Sequence, residues 1–86
     1  MLRITPISQD TATILKLEGK FLEPWIESVQ SAYQTARVSG PVSLDLSDLR
    51  FACPPALDEI RRLIADGVHI AACSSFIAQL LHLETL

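Results

Sequence analysis

No apolar run in this sequence approaches the ~20 residues that a membrane-spanning helix requires, so membrane insertion is not expected. The opening stretch MLRITPISQD lacks a long apolar core and a small-residue cleavage pattern, the two features that mark a secretory signal. Clustered cations are missing too. The seven basic residues, Arg3, Lys16, Lys20, Arg37, Arg50, Arg61 and Arg62, are spread along the chain, only the last two adjoin, and the formal net charge is -3. Phosphate backbones and anionic lipid surfaces are held by grouped cations, so neither nucleic acid nor a polybasic membrane anchor is an expected partner. The expectation is a cytoplasmic protein.

Cysteine is scarce and lacks metal-binding spacing. Cys53 and Cys73 stand twenty positions apart without a CxxC pair, and His69 and His82 are the sole histidines. Zinc requires four convergent ligands, so no metal is expected. In a reducing cytosol the two thiols read as small buried hydrophobes. A catalytic set is missing as well: Asp45 and Asp48 flank the end of a strand, but no nucleophile or base occupies a matching position. The sequence therefore predicts a non-enzyme without a cofactor.

What is present is a globular composition, with 49% hydrophobic and 20% charged residues in 86 positions. One domain, residues 1–86, is expected, close to the lower limit for folding on a single core and rich in apolar side chains for that size. Leu2 to Ile7 and Thr13 to Glu18 are β-type runs separated by the polar turn Ser8-Gln9-Asp10, and they predict an antiparallel hairpin. After Glu23-Pro24, the residues Trp25, Ile26, Val29, Ala32, Tyr33 and Ala36 recur at helical spacing, and Ser39-Gly40-Pro41 ends the helix. Trp25 reads as an anchor of that helix in the core. Val42 to Leu46 alternates strictly between apolar and polar, and Val68 to Ala72 repeats the arrangement with His69 on the polar side. That alternation predicts a sheet with helices mainly on one face.

Between these strands, Leu57, Ile60 and Ile64 form the inner stripe of a second helix, with Asp58, Glu59, Arg61 and Arg62 toward solvent. Strand, helix, strand in this order is a βαβ unit, normally a right-handed crossover. Ser74-Ser75 then cap a closing helix that carries Phe76, Ile77, Leu80 and Leu81. The predicted fold is a small α/β domain: a mixed, mostly parallel, four-stranded sheet in the order ββαβαβα.

Three stretches carry a family resemblance: LKLEGKFLEPWIESV across the second strand and first helix, LDLSDLRF at the central strand, and GVHIAACSSFIAQLL at the last strand and helix. Together they resemble a STAS domain, the module of bacterial anti-sigma factor antagonists and of the cytoplasmic tails of sulfate transporters. In that family the loop after the central strand commonly reads Asp-Ser-Ser-Gly or Asp-Ser/Thr-x-Gly, and an anti-sigma kinase phosphorylates a hydroxyl there to control partner release. Here Cys53 stands at the aspartate position, Pro54 and Pro55 at the hydroxyl positions, and Ala56 at the glycine position. Every chemically active position of the switch has changed. The resemblance implies a regulatory module for signal transduction or transcription regulation that binds a protein partner, such as an anti-sigma factor, a kinase or another signalling protein. The implied contact surface is Cys53 to Ala56 with Asp58, Glu59, Arg61 and Arg62, and it works without a phosphoswitch.

Two other readings remain open. Cys53 and Cys73 both follow the carboxyl ends of strands, where a thiol sensor could form if the sulfurs approach. A small-molecule or anion site lined by Cys53, Ser74 and Ser75 would use the carboxyl ends of the parallel strands, where open α/β sheets bind ligands. The resemblance also implies a further strand and helix beyond the last helix, which this chain does not contain. The strand Val68 to Ala72 is then expected to have an open edge, and the surplus of apolar residues at the end of the chain predicts a homodimer using Leu80, Leu81 and Leu83.

Overall fold

The structure, a computed structural model, describes residues 2–81. Strands β1 (Leu2–Gln9) and β2 (Ala12–Phe21) form the predicted hairpin, with Leu2 opposite Gly19 and Gln9 opposite Ala12. Its turn is Asp10-Thr11, later than Ser8-Gln9-Asp10, because Ser8 and Gln9 still pair with Thr13 and Ala12. Asp10 takes φ 48, a left-handed conformation that aspartate tolerates better than most side chains.

A 3-10 turn, Glu23–Trp25, places Pro24 ahead of helix α1 (Ile26–Arg37). Val29, Tyr33 and Ala36 bury the inner stripe of α1, and Trp25 packs against the same core from the turn. The chain then reverses at Gly40, whose φ of +136 is closed to residues with a side chain. It returns as β3 (Val42–Leu46), parallel to β2, with Thr13 opposite Val42.

Beyond β3 the structure departs from the prediction. Leu49–Ala52 is a further strand, β4, parallel to the last residues of β2, so the sheet has five strands and not four. The interruption between β3 and β4 is an Asx turn in which the Ser47 amide donates to Asp45 Oδ1 at 3.0 Å and the Ser47 hydroxyl donates to the same oxygen at 2.7 Å. This turn steps the chain past the end of β3 and sets it down again along β2. Helix α2 (Pro54–Ala65), strand β5 (His69–Cys73) and helix α3 (Ser75–Leu81) follow, and β5 lies parallel to β3. The observed order is ββαββαβα, and β1-β2-β3-β5 run across the sheet.

One face of this mixed, mostly parallel sheet is covered. Leu15, Leu17, Leu44 and Leu46 are fully buried there and join residues from all three helices in a single core. The alternate positions Lys16, Ser43, Asp45 and His69 lie on the other, more open face, as the alternation predicts. Helix α3 packs on β4 and α2, and buries Ile77 and Leu81. No helix among the described residues is long and apolar enough to cross a membrane.

Candidate functional site

The segment Cys53 to Ala56 starts α2. Cys53 is the N-cap residue, extended at φ -74 and ψ 165, and Pro54 and Pro55 occupy the first two helical positions. Both prolines already have the backbone angle that a helix needs. The Cys53 amide donates to the Phe21 carbonyl at 3.0 Å, so the loop is tied to β2. The Leu57 amide donates to the Cys53 carbonyl at 2.9 Å. The helix start therefore has unusually few free donors: the two prolines have none, Leu57's is used, and Ala56 alone retains an N–H without a partner inside the helix. A phosphate at a helix N-terminus is held by several such groups. This one is poorly equipped for an anion, whatever hydroxyl stood nearby.

The surface is smaller than the sequence predicts. Pro54, Pro55 and Asp58 are exposed and Cys53 is half-buried, but Ala56 is fully buried and cannot meet a partner. Its burial follows from the set of α2: the inner stripe is Ala56, Leu57, Ile60 and Leu63, rotated slightly from the expected Leu57, Ile60 and Ile64. Glu59 is a second correction, because it is only 6% exposed and does not face solvent. It lies on the flank of α2 that meets α1. There Gln30 Nε2 donates to its Oε1 at 3.2 Å, and Arg62 grips both carboxylate oxygens through Nε at 3.2 Å and a terminal nitrogen at 2.5 Å. A carboxylate buried to this degree requires such partners. Arg61 bridges outward to Asp58 at 2.9 Å and to the Leu80 carbonyl of α3 at 3.0 Å. The predicted helix surface thus divides into an exposed part, Asp58 and the outer edges of Arg61 and Arg62, and an internal brace at Glu59.

A second brace closes the other end of the α1–α2 seam. The Tyr33 hydroxyl donates to Asp66 at 2.5 Å, and Arg37 lies over the Tyr33 ring, 5.5 Å from its centre. The hydrogen bond to Asp66, then burial, pushes the Tyr33 phenol above its ordinary 10.0. Because the folded state holds this proton more tightly, the associated stability is complete below pH 10 and is lost as pH rises through the raised value. Tyr33→Phe is expected to cost about 1 kcal/mol at pH 7 and to flatten the alkaline part of the stability curve. Urea unfolding at pH 7, 9 and 10.5 checks this, and an unchanged alkaline slope in the variant would refute it.

The other sequence candidates disperse. Each carboxylate of the Asp45 and Asp48 pair is engaged, Asp45 by Ser47 and Asp48 by Lys16 at 3.2 Å. The Ser47 hydroxyl, then its amide, holds the Asp45 carboxyl below its usual range, which suits a turn and not a proton shuttle. Both cysteines are free thiols, and burial pushes the Cys73 thiol up, away from the thiolate form that redox chemistry uses. The Ser74 hydroxyl accepts from the Ile77 amide at 3.2 Å, the capping role that its position predicts. Of the three residues expected to self-associate, Leu81 is inside the core and Leu80 is partly buried against it. Leu83 lies outside the described residues. Phe76, 50% exposed, is the large apolar side chain that α3 offers to solvent.

No family model matches this chain, and no curated protein matches it. Among solved structures it superposes on a protein described as "Crystal Structure Analysis of Mglu", with a TM-score of 0.62 and 25% sequence identity. The likeness covers 79% of this chain and 18% of that chain, so the fold seen here corresponds to a small part of the larger protein.

Proposed function

We propose that this chain is a STAS-like, non-enzymatic regulatory module that binds a protein partner through the start of α2 and does so without phosphoswitching. The observation that carries this reading is the double proline at the first two helical positions, tied to β2 through the Cys53 amide. A rigid, exposed edge of this kind loses little conformational entropy on binding, which favours a permanent docking surface over a switched one. The partner is an anti-sigma factor, a kinase or another signalling protein, and the setting is a bacterial cytoplasm.

Pro55→Glu with Asp58→Lys changes only exposed residues, so the fold is expected to survive while partner capture from the native cytosol falls at least about tenfold, a loss of ~1.4 kcal/mol. Thermal melting verifies the fold, and equal capture by wild type and variant would sink the proposal. Incubation with an anti-sigma kinase is expected to leave residues 53 to 56 unmodified. Phosphate on Ser47, Ser74 or Ser75 accompanied by partner release would mean that the switch has moved.

A homodimer is the second reading, favoured by β5, which has no strand on its outer side among the described residues, and by the exposed Phe76 beside it in sequence. Sedimentation at micromolar concentration is expected to show a dimer that Phe76→Glu dissociates. A monomer throughout would eliminate this reading and leave the first intact.

A further inference from the structure

The sheet has two free edges among the described residues, β1 and β5, and they are built differently. Beside β1, the Thr13 amide of β2 donates to the Pro41 carbonyl at 3.0 Å, so it points away from β1 and the Ser8–Thr13 pair exchanges no bonds. Antiparallel pairs alternate. Two positions along, the Pro6–Leu15 pair is therefore also unbonded, and the middle of the β1 edge presents the nitrogen of a proline, which has no hydrogen to give. This edge is blunted. β5, His69–Cys73, contains no proline and no Asp, Glu, Lys or Arg, so neither a missing donor nor a formal charge obstructs pairing there. Its register on β3 steps from Ile70 to Ala72, which leaves Ala71 without a partner. Burial points the same way: Leu44 and Leu46 of β3 are 0% exposed, yet Ile70 and Cys73 beside them on β5 are only half-buried. The core is unfinished along this strand.

We infer that β5 pairs antiparallel with β5 of a second copy, about a two-fold axis through Ala71, so that the two sheets become continuous. This deepens the homodimer reading and rests on it. Centring on Ala71 sets His69 opposite Cys73 and Ile70 opposite Ala72, so all five residues of each strand find partners and no like charges meet. The small side chain of Ala71 lets the two backbones approach on the axis, and the step in register occurs in both copies, so its twist is matched across the pair. A foreign strand has less to recognise. With no formally charged side chain on β5 and methyl groups at its centre, another protein's sequence has no handle to be selected by, whereas an identical strand is always at hand. The antiparallel arrangement also carries the start of α3, with its exposed Phe76, toward the α2–β5 turn of the other copy, which extends the interface beyond the strands.

Sedimentation across the micromolar range is read together with amide hydrogen exchange of His69 to Cys73. Exchange in β5 is expected to slow at least about tenfold between the monomeric and the dimeric concentrations, while exchange in β1 stays the same. Ala71→Lys alters an exposed side chain and sets two ammonium groups opposite each other on the axis, so it is expected to raise the dimer dissociation constant at least about tenfold, an effect that added salt reduces. Ser8→Lys, at an exposed position of β1, is the control and should leave the constant as it is. Thermal melting checks that both variants fold. A monomer at every concentration removes the homodimer reading and this inference with it. A dimer whose β5 amides exchange as fast as in the monomer, or one that Ala71→Lys leaves intact, overturns the inference alone and assigns the dimer to another surface such as α3. Protection of β5 that does not depend on concentration also overturns it, because the edge is then covered within one chain.

Discussion

Gly40→Ala is expected to destabilise the domain by about 3 kcal/mol or more and to lower the melting temperature by roughly 15 °C. Two costs coincide there. The backbone sits at φ +136, and an added Cβ would meet the Thr11 carbonyl oxygen at 2.0 Å, which no side-chain rearrangement can relieve because the obstacle is main chain. The contact also joins the α1–β3 reversal to the hairpin turn, next to the hydrogen bond from the Thr13 amide to the Pro41 carbonyl at 3.0 Å. Gly67 supplies the control. It has a positive φ of +108 but nothing within 4 Å of its missing Cβ, so Gly67→Ala should cost only the conformational strain, about 1–2 kcal/mol. Denaturant unfolding of the two variants separates the effects. If Gly40→Ala costs no more than Gly67→Ala, the close approach to Thr11 is not as tight as described.

Phe21→Ala is the second large effect, expected at about 3–5 kcal/mol, enough to unfold much of a domain of ordinary stability. Phe21 is among the largest fully buried side chains, and it ends β2 opposite Ala52 of β4. Its carbonyl also accepts the Cys53 amide, so the residue's backbone is tied to the start of the candidate docking surface. Phe21→Leu is the gentler companion, with an expected cost below about 2 kcal/mol and retained partner binding. A Phe21→Ala variant that unfolds at the wild-type denaturant midpoint would contradict the packing described here.

The covered face and its helices were legible because their signal is local: strict alternation in Val42 to Leu46 and three-and-four spacing from Trp25 to Ala36 are each complete within a single element. β4 was not. Leu49-Arg50-Phe51-Ala52 has buried ends and an exposed middle, so four residues show no alternation, and the strand exists because β2 runs long enough to receive it. That omission propagated. The surplus of apolar residues at the end of the chain predicts self-association through Leu80, Leu81 and Leu83, yet β4 enlarges the surface that α3 covers, and Leu81 joins Ile77 in the core over β4 and α2. Glu59 failed for a related reason. On its own helix, an acid beside Asp58 and near two arginines looks like part of a solvated face, and only Gln30, twenty-nine positions away, reveals that the flank is internal. The candidate loop's lack of hydroxyls and of N–H donors is legible because both are properties of proline itself. Its exposure was overestimated at Ala56, where the rotation of α2 against the sheet decides.

β4 also determines how the proposed docking edge moves. Were the chain to pass from β3 directly into α2, the segment before the helix could fray by itself, exchanging its amide hydrogens through small, frequent openings. With β4 laid along β2, the Gly19 amide donates to Asp48 and the Cys53 amide to Phe21, so releasing the loop means peeling a strand from the sheet. The amide of Cys53 then belongs to the same cooperative unit as the core strands and should exchange on their timescale, far more slowly than a surface loop. If the proposed docking holds, a surface with that behaviour meets a partner already in the bound shape, and its rate of association is governed by diffusion and orientation instead of by waiting for the loop to open.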